Sequence, residues 1–149
     1  IQSESYPIEI KKLFPDITVN GNACPMWVPL VENSEYNSDG ADYFVKKELD
    51  RLLSQDKDID TIVLACTHYP LLIDKIRKYV PKEMNIVSQG EIVAKSLENY
   101  LSRHGDMENH IGRGASCKFY TTEAIEKFRK SASVFLHEEI EAERITLAL

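Results

Sequence analysis

The 149-residue sequence lacks the features expected of a nucleic-acid-binding or membrane protein. Its 18 Lys and Arg residues are outnumbered by 24 Asp and Glu residues, which gives a formal net charge of -6, and they form no basic run. Proteins that bind nucleic acids are usually basic, so nucleic acid is not an expected partner. No stretch approaches the roughly 20 apolar residues that span a bilayer, so no membrane association is expected either.

Secretion signals are also absent, and cysteine is scarce. The N-terminus has no basic segment followed by an apolar run, so no signal peptide is expected. The three cysteines, Cys24, Cys66 and Cys117, are an odd number. We therefore expect reduced thiols and a cytoplasmic protein.

What the sequence does contain is typical of a soluble globular domain, with 43% hydrophobic and 28% charged residues. Apolar residues recur at helical spacing over 41–53, which predicts an amphipathic helix that Ser38 or Asp39 can cap. The branched apolar run at 59–65 predicts a parallel strand covered on both faces. Strands and helices alternate in this way along the chain, which predicts an α/β fold with a mainly parallel sheet.

The remaining elements follow from the same patterns. Two prolines in the apolar segment 24–32 argue against a strand or a helix interior, so we expect an ordered, buried loop there. Thr122 is expected to cap the last helix, and Val93, Leu97 and Tyr100 are expected to face inward from theirs. Further strands are predicted at 17–23, 85–88, 115–121 and 144–147, and further helices at 7–14, 70–80, 90–101 and 125–136.

Cys66 directly follows the predicted strand at 59–65, and sites in such sheets form at the carboxyl ends of strands. Residues two apart in an extended chain point the same way, so Cys66 and His68 can face one cleft. An imidazole and a helix N-terminus near Pro70 both favour the reactive thiolate. Together with Thr67, the exposed N–H groups there can hold an anion. The segment therefore predicts a reactive cysteine that handles a small anionic substrate.

Two simpler interpretations stay open at this point. A cysteine after a buried strand is often only a small apolar side chain, and His68 can be an ordinary residue at a helix cap. Metal binding is not expected, because a single Cys-x-His pair lacks the second ligand pair of a structural zinc site.

Two segments carry a specific resemblance. The string TIVLACTHYPLL at 61–72 closely resembles the second cysteine motif of glutamate racemases, and ACPMWVPLVE at 23–32 resembles the loop that precedes it, in matching order and separation. A weaker similarity continues through 119–122 and the helix that ends at Leu136. The chain thus resembles the C-terminal part of a member of the aspartate/glutamate racemase family, with the N-terminal part and the first cysteine motif missing.

The resemblance implies an α/β fold of two parallel-sheet, three-layer lobes, one largely complete and the other partial. Residues 1–88 would form most of the second (central) lobe, and residues 89–149 would return to the incomplete first lobe. Without their natural packing partner, residues from Gln89 onward are expected to expose apolar surface, to pair with another copy of the chain, or to swap.

The resemblance also implies an isomerase that interconverts L- and D-glutamate for peptidoglycan synthesis, without a cofactor or metal and as a homodimer. Two cysteines act on opposite faces of the α-carbon, and Cys66 matches one of them. Thr67 and His68 match substrate-contacting positions, and His68 also matches a residue that assists Cys66 as a catalytic group. Glu32 matches an acidic residue near the active site, although a plain loop carboxylate fits equally well.

Some features depart from the family pattern or leave alternatives. Cys24 and Cys117 do not lie in a context like the first cysteine motif, so core roles are expected for both. Ala65 stands where glycine is common, and 88–90 reads Ser-Gln-Gly where the family often has an acidic residue, a small polar residue and glycine.

Two alternative functions stay open. They are another cofactor-independent racemase, such as one that acts on aspartate, and a non-catalytic α/β interaction module.

Overall fold

A computed structural model of the chain describes residues 3–147. Both of its strand pairs are parallel, so the predicted α/β fold is confirmed. No helix in residues 3–147 is long and apolar enough to cross a membrane. In chain order the elements are α1 (Ser5–Leu13), α2 (Trp27–Glu32), α3 (Asp39–Leu53), β1 (Thr61–Leu64), a 3₁₀ helix (Tyr69–Leu72), α4 (Ile73–Tyr79), β2 (Asn85–Ser88), α5 (Gln89–Arg103), α6 (Gly105–Glu108), β3 (Phe119–Thr121), α7 (Ile125–Leu136) and β4 (Ala142–Arg144).

The chain divides into two compact units, one ending at Ile92 and the other beginning at Val93. The division falls inside α5, close to the predicted boundary after residue 88. Which lobe each unit represents stays a prediction.

The core of the first unit is built by α2, α3, α4 and the parallel pair β1–β2. The helix α3 begins where expected, because the Ser38 hydroxyl accepts a hydrogen bond from the Ala41 N–H at 3.2 Å. Its apolar face then buries Val45 and Leu49 against Ile76 of α4. The helical periodicity of the sequence therefore predicted both the helix and its buried face.

The strand β1 is covered on one face, not on both as expected. Ile62 and Leu64 are buried in the core, whereas Val63 between them is 46% exposed. Because side chains alternate across a strand, the helices of this unit shield only one side of the sheet. The continuous apolar run correctly predicted a strand, but it did not predict that one face of the strand is uncovered.

Two predictions ahead of α3 are wrong. Residues 17–23, all within the described part of the chain, form no strand. The expected loop at 24–32 contains the helix α2, in which Pro29 is the third residue. A proline fits there because the first-turn N–H groups of a helix have no intrahelical acceptor.

The second unit contains the β3–α7–β4 arrangement, with β3 and β4 parallel. Only the last three residues of the predicted strand at 115–121 form β3, and β4 lies two residues earlier than expected. Thr122 does not cap α7, whose N-cap is Ala124. Instead, the neighbouring Thr121 hydroxyl accepts a hydrogen bond from the Glu123 N–H at 3.0 Å.

Little of the second unit is buried. Among the described residues beyond Ile92, only Thr121 and Ile140 are buried. Val93, Leu97 and Tyr100 of α5, expected to face inward, are 60%, 55% and 41% exposed. The apolar surface expected from Gln89 onward is therefore present on α5.

Asp42, in the first turn of α3, ties that helix to α4. Its carboxylate accepts hydrogen bonds from Lys75, from Lys78 at 2.9 Å and from the Tyr79 hydroxyl at 2.6 Å. These donors, led by Lys75, hold the pKa of Asp42 well below its usual range. A carboxyl whose pKa is lowered by folding stabilises the fold above its unfolded pKa, and this contribution is lost as the pH falls toward the folded pKa.

We therefore expect Asp42→Asn to lower the free energy of unfolding near pH 7 and to have progressively less effect as the pH falls below about 4. Urea denaturation of both proteins between pH 3 and pH 7 measures this difference. Asp50→Asn, which removes an exposed ion pair with Lys46 on the same helix, is the matched control. A difference between wild type and Asp42→Asn that stays constant with pH would contradict this role of the ionised carboxylate.

Candidate active site

Cys66 lies two residues beyond β1, in the turn that leads into the 3₁₀ helix. The turn closes through a hydrogen bond from the Tyr69 N–H to the Cys66 carbonyl at 3.2 Å, and another runs from the Leu71 N–H to the His68 carbonyl at 3.2 Å. Pro70 fits the first helical turn, where no N–H is needed. The half-buried thiol of Cys66 is therefore held at the carboxyl end of β1, where the sequence predicted it.

The structure brings the three neighbouring candidate residues together around one ring nitrogen. The Cys66 Sγ lies 3.8 Å from the His68 Nδ1, and the Thr67 Oγ1 lies 3.5 Å from the same atom. Thr67 is exposed and the His68 side chain is 24% exposed, so both can be reached from solvent. Cys66 and His68 are thus in contact as expected, although residues 66–68 form a turn and not the extended chain from which the contact was expected.

Glu32, the last residue of α2, contacts the other side of the same ring. Its Oε1 lies 3.3 Å from the His68 Nε2. The Glu32 side chain is 59% exposed, so this pair contributes little to stability, but it favours the tautomer that carries hydrogen on Nε2. The Nδ1 atom is then unprotonated and faces the Cys66 thiol. Thiol, imidazole and carboxylate are thus arranged in a line that can move a proton.

Cys24 and Tyr69 stand close to this line, and the sequence did not single out Tyr69. Cys24 packs against the core, as expected, and burial and the nearby Glu48 carboxylate raise the pKa of its thiol to about 11. Burial, together with the neighbouring Cys24 and Cys66, raises the pKa of the Tyr69 hydroxyl to about 12. Both groups are therefore protonated near neutral pH, and Cys24 is unsuited to act as a base there.

Cys117 does not have the core position expected of it. Its side chain is exposed, and β3 begins only at Phe119. The preceding segment contains Gly112 and Gly114, and Ala115 has a φ of 47°, so the backbone there is not extended. The short strand thus begins too late to bury Cys117.

The chemistry available in this arrangement is acid–base chemistry. A cysteine whose thiol contacts an imidazole, as Cys66 contacts His68, can exchange a proton with it.

Comparison with known proteins places this site in context. No family model matches the chain. Glutamate racemase from Streptococcus mutans is 33% identical over 147 residues, which is 99% of this chain and 54% of that protein. Glutamate racemase from Thermoanaerobacter sp. (strain X514) is 37% identical over 141 residues, 95% of this chain and 52% of that protein. The chain therefore spans about half the length of the curated relatives it matches.

Solved structures give the same result. A glutamate racemase isoform from Bacillus anthracis superposes with a TM-score of 0.84 at 30% identity, covering 98% of this chain and 53% of that one. Glutamate racemase from Francisella tularensis, solved in complex with D-glutamate, superposes with a TM-score of 0.83 at 26% identity, covering 97% and 53%. By sequence and by fold, the chain is similar to about half the length of glutamate racemases.

Proposed function

We propose that the protein containing this chain interconverts L- and D-glutamate, with Cys66 as one of two groups that exchange the α-proton. The observation that carries the proposal is the line from the Cys66 Sγ through His68 to Glu32, with contacts of 3.8 and 3.3 Å, at the end of β1. The curated relatives and solved structures named glutamate racemase support the choice of reaction. The Francisella tularensis complex with D-glutamate supports the choice of a small-molecule substrate.

The contacts of Cys66, His68 and Glu32 support the following proton transfers. The Nδ1 of His68 accepts the thiol proton of Cys66, and Glu32 stabilises the resulting imidazolium. The thiolate then removes the α-proton of one enantiomer, so a C–H bond breaks and an S–H bond forms. A second group returns a proton to the opposite face of the α-carbon. In the reverse direction, the Cys66 thiol donates the proton.

The reaction exchanges only protons, so it needs no electron acceptor, and we propose that it proceeds without a cofactor. The α-C–H group of an amino acid is a weak acid. The main energetic requirement is therefore to stabilise the negative charge that develops on the α-carbon when the proton is removed. We propose that Thr67, whose Oγ1 lies 3.5 Å from the His68 Nδ1, contacts the substrate. The D-glutamate formed would supply peptidoglycan synthesis in the cytoplasm.

The second proton-transfer group is not provided by Cys24. Its thiol is partly buried, and its pKa of about 11 keeps it protonated near neutral pH. Removal and return of the proton on opposite faces need two groups, and the chain spans about half the length of its relatives. We therefore assign the second group to a part of the protein outside the 149-residue chain.

The isolated 149-residue chain is accordingly expected to form little or no D-glutamate from L-glutamate, because one base cannot exchange the proton between the two faces. Chiral chromatography after prolonged incubation measures the product, with L-aspartate as a parallel substrate. The Cys66→Ala variant gives the background level of D-glutamate formation. D-glutamate formation by the chain that disappears in Cys66→Ala would contradict the assignment of the second group elsewhere, while still supporting Cys66.

A further inference from the structure

The short helix α2 contacts the turn of Cys66 through both of its terminal residues. At the last residue, the Oε1 of Glu32 lies 3.3 Å from the Nε2 of His68. At the first residue, the ring of Trp27 meets the ring of Tyr69 edge to face, with centroids 4.8 Å apart. Because His68 and Tyr69 are neighbours in the chain, these two contacts fasten both ends of α2 to one turn. The position of the Glu32 carboxylate therefore depends on how α2 is held.

The contact between Glu32 and His68 is too weak to hold the helix by itself. The Glu32 side chain is 59% exposed, and an ion pair with that exposure contributes little to stability. The helix has only six residues, and isolated helices shorter than about 12 residues are marginal in water. The position of α2 is therefore set by its buried side chains, which are Trp27, Leu30 and Val31.

Trp27 differs from the other two buried side chains because its indole N–H can donate a hydrogen bond. The side chain is 3% exposed, and its Nε1 donates to the Phe44 carbonyl of α3 at 3.3 Å. An apolar contact tolerates sliding, whereas a hydrogen bond favours a particular distance and direction. The indole thus fixes the first residue of α2 to α3, while its ring packs against Tyr69 in the turn. Trp27 is therefore in contact with both neighbours of α2.

We propose that Trp27 is a positioning residue that holds α2 where the Glu32 carboxylate reaches the Nε2 of His68. This role rests on the proposed function, because the contact between Glu32 and His68 matters only if His68 takes up the thiol proton of Cys66. Loss of the indole N–H frees the first residue of α2 from α3. The carboxylate at the last residue of the helix then spends less time beside the imidazole. Trp27 acts through α2 and takes no part in the proton transfer itself.

The readout is the tautomer of the neutral His68 ring in the ¹⁵N-labelled 149-residue chain, measured by long-range ¹H–¹⁵N NMR. A ring nitrogen that carries hydrogen and one that does not have well-separated ¹⁵N shifts, so the observed shifts give the ratio of the two tautomers. The Glu32 carboxylate favours the tautomer with hydrogen on Nε2. The sequence contains four histidines, and the signals that disappear in His68→Asn identify His68.

Trp27→Phe keeps an aromatic ring beside Tyr69 but removes the indole N–H. We expect the ratio of the Nε2–H to the Nδ1–H tautomer of His68 to fall about three-fold, which is the effect of losing an exposed contact with a carboxylate. Ile76→Val removes one methyl group from a 0% exposed residue of the same core, so it lowers stability but keeps the indole hydrogen bond. This matched control should leave the ratio unchanged. Equal ratios in wild type and Trp27→Phe would overturn the positioning role.

A second variant covers the case in which Trp27→Phe does not fold. Benzothienylalanine at position 27, introduced by codon suppression, keeps the shape of the indole but has sulfur in place of the N–H. It should lower the tautomer ratio as much as Trp27→Phe does. A wild-type ratio in this variant would likewise contradict the role of the indole hydrogen bond.

A double-mutant cycle with Glu32 tests whether Trp27 acts through that carboxylate. Glu32→Ala should by itself lower the tautomer ratio about three-fold. Trp27→Phe in the Glu32→Ala background should then change the ratio no further, because the contact that Trp27 supports is already lost. The same fall in both backgrounds would contradict the inference, since Trp27 would then act on His68 by another route.

The cycle also separates this inference from the proposed function. A Glu32→Ala ratio equal to that of the wild type would show that the Glu32 carboxylate does not contact His68 in solution, which would count against its part in the proposed proton transfer as well. A ratio that falls in Glu32→Ala but not in Trp27→Phe would count only against the positioning role of Trp27.

Discussion

Replacing His68 with Asn is expected to slow the alkylation of Cys66 near pH 7 about ten-fold, because an amide cannot take up the thiol proton as an imidazole can. The His68 Nδ1 lies 3.8 Å from the Cys66 Sγ, and the contact of its Nε2 with Glu32 favours the tautomer that leaves Nδ1 unprotonated. Asn is close to the imidazole in polarity and smaller in size, so the turn should persist. The measurement is the rate constant of iodoacetamide labelling at Cys66 across pH 6 to 10.

His104→Asn is the matched control for this prediction. His104 stacks on Tyr100 and belongs to the second unit, whereas Cys66 and His68 belong to the first, so its replacement removes a histidine that is not part of the turn of Cys66. Labelling of Cys66 should be the same in this variant as in the wild type. If His68→Asn also reacts at the wild-type rate, the thiol does not depend on the imidazole, and the proposed role of His68 in proton transfer is wrong.

The contact between Cys66 and His68 could be predicted from the sequence because it is local. The two residues are two positions apart in the chain, and the position of Cys66 after a strand followed from a short apolar run. The contact of Glu32 with His68 could not be derived in the same way. It depends on α2, which brings the end of a distant segment to the turn, and the residue pattern of that segment gave no reason to expect a helix.

The helix α2 was missed because Pro29 was read as a sign of irregular backbone. A proline excludes a helix interior, but a helix of six residues consists largely of first and last turns, where proline fits. Tyr69 was missed for a related reason. Its ring contacts that of Trp27, which belongs to the segment whose conformation was predicted wrongly.

The helix α5 shows what an apolar sequence pattern cannot predict. Its apolar spacing correctly predicted a helix with one apolar face, but Val93 and Leu97 on that face are exposed in the structure. A periodic pattern identifies which side chains share a face, because that depends only on helix geometry. Which surface covers the face depends on residues far away along the chain or outside it, and the pattern carries no information about them.

Replacing Ile76 with Ala is expected to lower the free energy of unfolding by about 3 kcal/mol, because a large buried side chain is lost and a cavity is left. Ile76 of α4 is 0% exposed and packs in the core that also contains Leu49 and Leu72. Ile76→Val removes a single methyl group and should cost about 1 kcal/mol. Urea denaturation of the 149-residue chain gives both values, and a loss below 1 kcal/mol for Ile76→Ala would contradict the close packing of this core.

Leu97→Ala on α5 is the informative comparison. Leu97 is 55% exposed, so its truncation to alanine leaves no cavity in a core. The substitution should therefore change the free energy of unfolding by about 0.5 kcal/mol or less. Alanine also favours a helix slightly more than leucine does, which offsets part of the lost contact. If Leu97→Ala were instead as damaging as Ile76→Ala, the apolar face of α5 would be covered in solution. Equal losses of unfolding free energy in Leu97→Ala and Ile76→Ala would therefore contradict the exposure of α5. A much larger loss in Ile76→Ala would show that the core of the first unit contributes most of the stability.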